Sequence, residues 1–195
     1  MFDIPIDEIR RKLFHLLTLI YVFSYWFSNK DMVLWVMGSI IVVVFIVEMV
    51  RLNMPVFNVW TLRFLGGVHR PWEASNISGL PWTLLGSFLT MLLFDDKSLV
   101  LVSLFYLALG DASAALLGKF CGKNKIFWYN KTFEGSIACF VICLAIGIPF
   151  LGLPLALIGA LIATIIEIIS WPLNDNFWMP LVSCAFLTIL KNYLF

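Results

Sequence analysis

Charged residues are scarce in this chain. Asp, Glu, Lys and Arg make up 13% of its 195 residues, about half their share in a soluble domain. With 62% hydrophobic residues and a mean hydropathy of +0.97, too few polar side chains remain to coat a water-facing surface. A soluble enzyme is excluded. Cysteine is sparse too, and Cys121, Cys139, Cys143 and Cys184 show no metal-binding spacing. Cys139 and Cys143 lie in one apolar run and read as small helix filler, not as a disulfide. No GxxxxGK[ST] loop and no kinase glycine loop is present, which excludes the soluble nucleotide-binding folds on motif. Arg10, Arg11 and Lys12 lead into an apolar run with no small-residue cleavage site, so a cleaved signal peptide is not expected. A nucleic-acid partner is not expected.

Long apolar runs are what the chain does have. A spanning helix takes about 20 such residues, and the pattern predicts an all-α integral membrane protein with about seven transmembrane helices. They fall at 13–27, 32–50, 77–94, 99–117, 137–151, 154–169 and 178–190, in a single membrane-embedded domain over 1–195. A short amphipathic piece, 4–12, precedes the first, and 51–76 reads as an interfacial segment. Cytoplasmic loops are enriched in Lys and Arg. Arg10, Arg11, Lys12, Arg51, Arg63, Arg70, Lys119, Lys123, Lys125 and Lys131 fall on one side, ten in all, against Lys30, Lys97 and Lys191 on the other. The N-terminus and the loop 118–134 are therefore expected in the cytoplasm. Glu48, Asp111, Glu167 and Asp175 fall toward the same face, where an enzyme drawing nucleotide from the cytosol needs them.

The stretch 110–136 departs from its apolar surroundings. Asp111 sits late in a membrane-length helix, and an ionisable group there is expensive unless it faces a polar site or a partner. Gly110, Ala114 and Gly118 form a small-residue stripe that suits close helix packing and leaves backbone accessible. Lys119 and Lys131 are placed to touch phosphate as compact point charges. Thr132, Gly135 and Ser136 open the following helix, whose N-terminus favours an anion. Metal and polyphosphate suit this set better than lipid does. Glu167, inside an apolar helix, and Asp175, in the turn after it, are further carboxylate candidates, and His15 lies one helical turn beyond Arg11.

These residues resemble a known signature. Gly-Asp, small residues and Gly-Lys at 110–119, followed by Lys-Thr-x-Glu-Gly-Ser at 131–136, look like the motif of the polyprenol kinase family, which includes dolichol kinase, phytol kinase and CTP-dependent diacylglycerol kinase. Three further pieces agree in order: RKLFH at 11–15, Glu73 followed by SGLPWTLLG at 78–86, and Glu167 with Asp175, Asn176 and Pro180. The likeness covers nearly the whole chain. It implies transfer of the γ-phosphoryl group of CTP (or ATP) to a lipid alcohol such as diacylglycerol, phytol or a polyprenol, on the cytoplasmic side of a multi-pass membrane protein among membrane lipids. Mg²⁺ is the implied cofactor, held by Asp111, Glu134 and Asp175. The implied phosphate-binding set is Arg11, Lys12, Gly110, Gly118, Lys119, Lys131, Thr132, Gly135, Ser136 and Asn176. Asp111, Glu167 and His15 are the catalytic candidates, and the general base stays open among them.

Two other classes compete. Membrane cytidylyltransferases share a looser Gly-Asp element, but their Ser-rich start running to Lys-Asp-x-x-Asp is absent. A small transporter predicts binding without nucleotide turnover, and neither an inverted repeat nor a polar pore stripe favours it.

Overall fold

The structure, a computed structural model, describes residues 6–64, 68–69, 71–126, 131–169 and 173–194. The helices are α1 (Ile6–His15), α2 (Thr18–Phe27), α3 (Lys30–Asn53), α4 (Pro55–Phe64), α5 (Gly79–Leu93), α6 (Lys97–Phe105), α7 (Ala112–Phe120), α8 (Phe133–Leu151), α9 (Leu153–Ile168) and α10 (Asp175–Leu194). A 3₁₀ turn, Pro71–Ala74, precedes α5, and a π-helical turn, Tyr106–Asp111, joins α6 to α7 in one rod. Among the described residues no strand forms; Lys125 and Thr132 make one isolated antiparallel bridge. The four cysteines are free.

The rod Lys97–Phe120 is the centre of the fold, with most of its residues buried. Val100, Val102, Leu104, Tyr106 and Leu107 are all sealed in the core. Helices α8, α9, α10 and α2 pack around it. By contrast α3 shows an apolar outer face, with Trp35 80% and Val43 59% exposed, the arrangement expected of a helix solvated by lipid chains.

Three helices are long and apolar enough to cross a membrane: Lys30–Asn53, Lys97–Phe120 and Phe133–Leu151; Gly79–Leu93 and Leu153–Ile168 are apolar but shorter. The region expected as one span over 13–27 is two helices. At their junction, Leu17 N–H and Leu19 N–H bond three residues back, to Phe14 O (3.1 Å) and Leu16 O (3.0 Å). On the α1 side of the break, Lys12 and His15 lie against the rod. The expected interfacial segment 51–76 contains α4 and the 3₁₀ turn; its residues 65–67 and 70, with Arg70, lie outside the described residues, as do 127–130 of the loop 118–134 and residues 4–5 of the amphipathic piece.

Local chemistry sets the helix ends. Asp96 caps α6, accepting from Ser98 N–H (3.0 Å) and Leu99 N–H (3.2 Å). Thr132 caps α8 through Gly135 N–H (3.3 Å). Gly152 turns the chain from α8 into α9 at φ +73°, a conformation that residues with a Cβ rarely adopt. The start of α5 is capped from elsewhere: Glu48 accepts from Ser78 N–H (3.1 Å) and Ser78 Oγ (3.0 Å), and Glu73 accepts from Gly79 N–H (3.1 Å). Orphan amides at a helix start attract carboxylate, so these two acids fix where α5 begins.

The small-residue stripe is a packing seam. Antiparallel α7 and α8 approach so closely that a Cβ added at Gly135 would lie 2.6 Å from the Ala114 carbonyl oxygen. Backbone cannot swing away as a side chain can. Gly135→Ala is therefore expected to push the helices apart and to lower stability by about 1–3 kcal/mol, read as an earlier thermal transition in detergent.

Candidate active site

The π-helical turn makes the site. In α-helix every carbonyl is taken by the amide four residues on; the wider π turn, common at functional sites, interrupts that ladder. Here the Leu107 carbonyl accepts a hydrogen bond from His15 Nε2 at 3.0 Å. A turn further on, Asp111 is buried and forms an ion pair with Lys12, which is itself buried. His15 Nε2 also lies 3.6 Å from Asp111 Oδ2. One short helix, α1, thus delivers a lysine and a histidine to a carboxylate in the middle of an apolar rod. Neither charge tolerates burial alone, and each makes the other's burial possible.

A second ion cluster adjoins the first. Lys131 Nζ is 2.5 Å from Glu167 Oε1, near the end of α9, and 3.5 Å from Asp175 Oδ2, at the start of α10. Burial pushes the Lys131 pKa down, but Glu167, Asp111 and Asp175 outweigh burial and hold it above the usual lysine value. This ammonium is therefore charged throughout the physiological range.

A cavity of about 390 Å³ opens beside these groups. One end is polar, lined by Arg11, Lys12, His15, Asp111, Asp175 and Asn176. The junction before α2, with α3 and α5, contributes Leu17, Ile40, Val44, Val47, Leu80 and Leu84 to the wall, and Thr18, Tyr21, Glu48 and Thr83 line it beside them.

The structure divides the residues nominated from sequence. Six meet at the polar end just described, and Lys131 and Glu167 border it. Gly110, Gly118, Thr132, Gly135 and Ser136 do not line the cavity; they lie along the seam with α8. A Cβ at Gly110 would fall 2.6 Å from Cys143 Sγ, and one at Gly118 would fall 2.7 Å from Thr132 Oγ1. Lys119 is exposed near the end of α7. Glu134 faces the loop, where it accepts from Asn124 Nδ2 at 2.8 Å and from Asn124 N–H at 3.2 Å. It does not join Asp111 and Asp175, and among the described residues no cluster of three or more His, Cys, Asp or Glu side chains stands ready for a metal.

Sequence reasoning missed a third polar cluster. Arg51 is fully buried and donates to Asn58 Oδ1 (2.9 Å), Glu73 O (3.0 Å), Glu48 Oε2 (2.7 Å) and Asn76 O (2.7 Å). Glu48 and Arg51 are three residues apart, a spacing that allows a pair within one helix, but nothing in it signals that the pair gathers α3, α4, the 3₁₀ turn and α5 into one rim. Glu48, Glu73 and Ser78 face the cavity from that rim.

Comparison with known proteins follows the same lines. The chain is 29% identical to CTP-dependent diacylglycerol kinase 1 of Saccharomyces cerevisiae, over 95% of this chain and 74% of that one. It is 28% identical to the protein of the same name from Eremothecium gossypii, over 92% of this chain and 66% of that one. An uncharacterised protein of Rickettsia prowazekii is 30% identical over 96% of both chains. No protein-family profile matches the chain, and no solved structure is significantly similar to it. Similarity over more than nine-tenths of this chain, to two kinases of one name and to a 30% identical relative, assigns the chain: it belongs to the polyprenol and diacylglycerol kinase-like family.

Proposed function

We propose that this protein is a multi-pass membrane enzyme that transfers the γ-phosphoryl group of CTP to the hydroxyl of a lipid alcohol, at a site open to the cytoplasm. The observation that carries the reading is the cavity itself, with Lys12, His15, Asp111 and Asp175 at one end and hydrocarbon-compatible walls beyond. An amphiphile with one reactive head fits such a space. The names of the yeast relatives supply CTP and diacylglycerol as first choices; phytol and polyprenols share the same head and remain in the panel. The one-sided basic residues support the cytoplasmic orientation and the reading of all apolar helices as spans.

Phosphoryl transfer depends chiefly on positioning and on neutralising charge. Lys12 and Lys131 supply the positive charge, and each is held by carboxylate until phosphate arrives. Nucleotide binding then exchanges one anionic partner for another, so neither ammonium is left bare in the apolar interior. Glu167, behind Lys131 and outside the cavity wall, acts as a positioning residue that holds this ammonium at the rim. His15 donates through Nε2 to Leu107, so the neutral ring carries its lone pair on Nδ1. Mg²⁺ fits the donors present: it needs only one or two carboxylates beside phosphate oxygens, and Asp111 and Asp175 face one cavity. When bound, the ion would neutralise charge on the transferring phosphoryl group.

The test is direct. Purified protein in detergent, given CTP or ATP with Mg²⁺ and diacylglycerol, phytol or a polyprenol, is expected to yield a lipid phosphate with CTP from at least one alcohol. Failure to phosphorylate any of them with either nucleotide refutes the reading.

A further inference from the structure

The acceptor needs a way in from the bilayer, and α2 and α3 supply the geometry. They form an antiparallel hairpin joined at Ser28 and Asn29. Near the turn the hairpin is closed, with Val22 and Tyr25 of α2 and Val33 and Met37 of α3 buried in the core. Away from the turn the two helices part. There Leu17 and Tyr21 face Ile40, Val44 and Val47 across the cavity. Leu17 is also 51%, Ile40 45% and Val47 42% exposed. A side chain that lines a cavity and lies open on the outer surface marks a side opening. Three of them, one at the junction before α2 and two on α3, frame a gap.

We propose that this gap is a lateral port for the hydrocarbon chain of the acceptor lipid. The chain lies against Leu17, Ile40, Val44 and Val47 and projects into the bilayer, while its hydroxyl reaches Lys12, His15 and Asp111. The proposal rests on the lipid-kinase reading and adds where the acceptor binds and which residues grade it. Two features favour a lipid chain over a peptide. The walls of the gap are apolar, so a peptide backbone there would leave amides without partners. The charged lining is gathered around Lys12, His15 and Asp111 on one side and Glu48 and Glu73 on the other, and none of the residues that frame the gap carries a charge, which matches an occupant with an uncharged chain. The break at Leu16 and Leu17 falls at the edge of the gap.

Ile40→Trp and Val44→Trp should plug the port. Each is expected to raise KM for the lipid alcohol about tenfold or more, the loss that follows when a few methylene groups no longer find their wall, with KM for CTP within about twofold of wild type. Val43→Trp, on the outer face of α3 and outside the cavity, should change neither. A lipid alcohol carrying a diazirine in its chain should label peptides containing Leu17–Tyr21 and Ile40–Val47 in the wild-type protein. That labelling needs neither turnover nor a folded variant. An unchanged lipid KM in correctly folded Trp variants, or labelling confined to the outer faces of α8 and α9, overturns the port. Absence of lipid phosphorylation by wild type refutes the kinase reading instead, and the photolabel still decides the port.

Discussion

Asp111→Asn is expected to lower lipid phosphorylation by about 10²–10³-fold or more, the scale seen when a preorganised charge at a reacting centre is lost. The same change strands the Lys12 ammonium in a buried position. Breaking a buried ion pair from one side costs about 3–5 kcal/mol, so the variant should also unfold earlier. Activity loss alone would then be ambiguous, and the double variant Lys12→Met/Asp111→Asn separates the two effects. Met is close to Lys in length and needs no partner, so replacing the cation should recover most of the lost stability. It should recover none of the activity, because both charged members of the pair are gone. Thermal unfolding in detergent and initial rates on the same preparations read the two quantities. A double variant that regains activity together with stability would show that Asp111 serves the fold and not the chemistry.

Arg51→Met should produce the largest loss of stability without touching the reacting groups. Arg51 makes four hydrogen bonds from a fully buried position, to two side chains and two carbonyls. Removing it leaves Glu48 buried without its cation, at a cost of about 3–5 kcal/mol, or roughly 6–20 °C in Tm for a chain of this size. Arg51→Lys should recover little, since an ammonium cannot span four acceptors that a planar fork reaches. Catalysis should fall as well, through the cavity rim and not through phosphate: Glu48 and Glu73 fix the start of α5, and α5 supplies Leu80 and Leu84 to the cavity wall. The expected signature is a raised KM for the lipid alcohol with KM for CTP little changed. A shift in CTP binding alone would place Arg51 at the nucleotide instead.

The helical class was legible because composition and run length leave no other solution. The site was legible only in part. Asp111 announced itself, since a carboxylate in an apolar helix demands a partner, yet its partner Lys12 lies 99 residues away and no local pattern pairs them. The link between His15 and Leu107 depends on the π turn, which the residues at 106–111 do not reveal. The stripe Gly110, Ala114 and Gly118 was readable as a packing face, and the structure uses it so. The resemblance implied Glu134 as a metal ligand beside Asp111 and Asp175. As the second residue of α8 its side chain points to the loop, where Asn124 takes it. Arg51 was hidden for a different reason: a basic residue at a helix end reads as a topology signal, and only tertiary structure shows it sealed inside.

The central claim is that the phosphoryl group reaching the lipid is the terminal one. Purified enzyme should be given CTP labelled with ³²P at the γ position, and in parallel at the α position, with Mg²⁺ and the best acceptor from the lipid panel. The account predicts radiolabel in the extracted lipid from γ-labelled CTP only, with CDP as the second product. Label entering lipid from α-labelled CTP with release of pyrophosphate would contradict it and mark a nucleotidyl transfer.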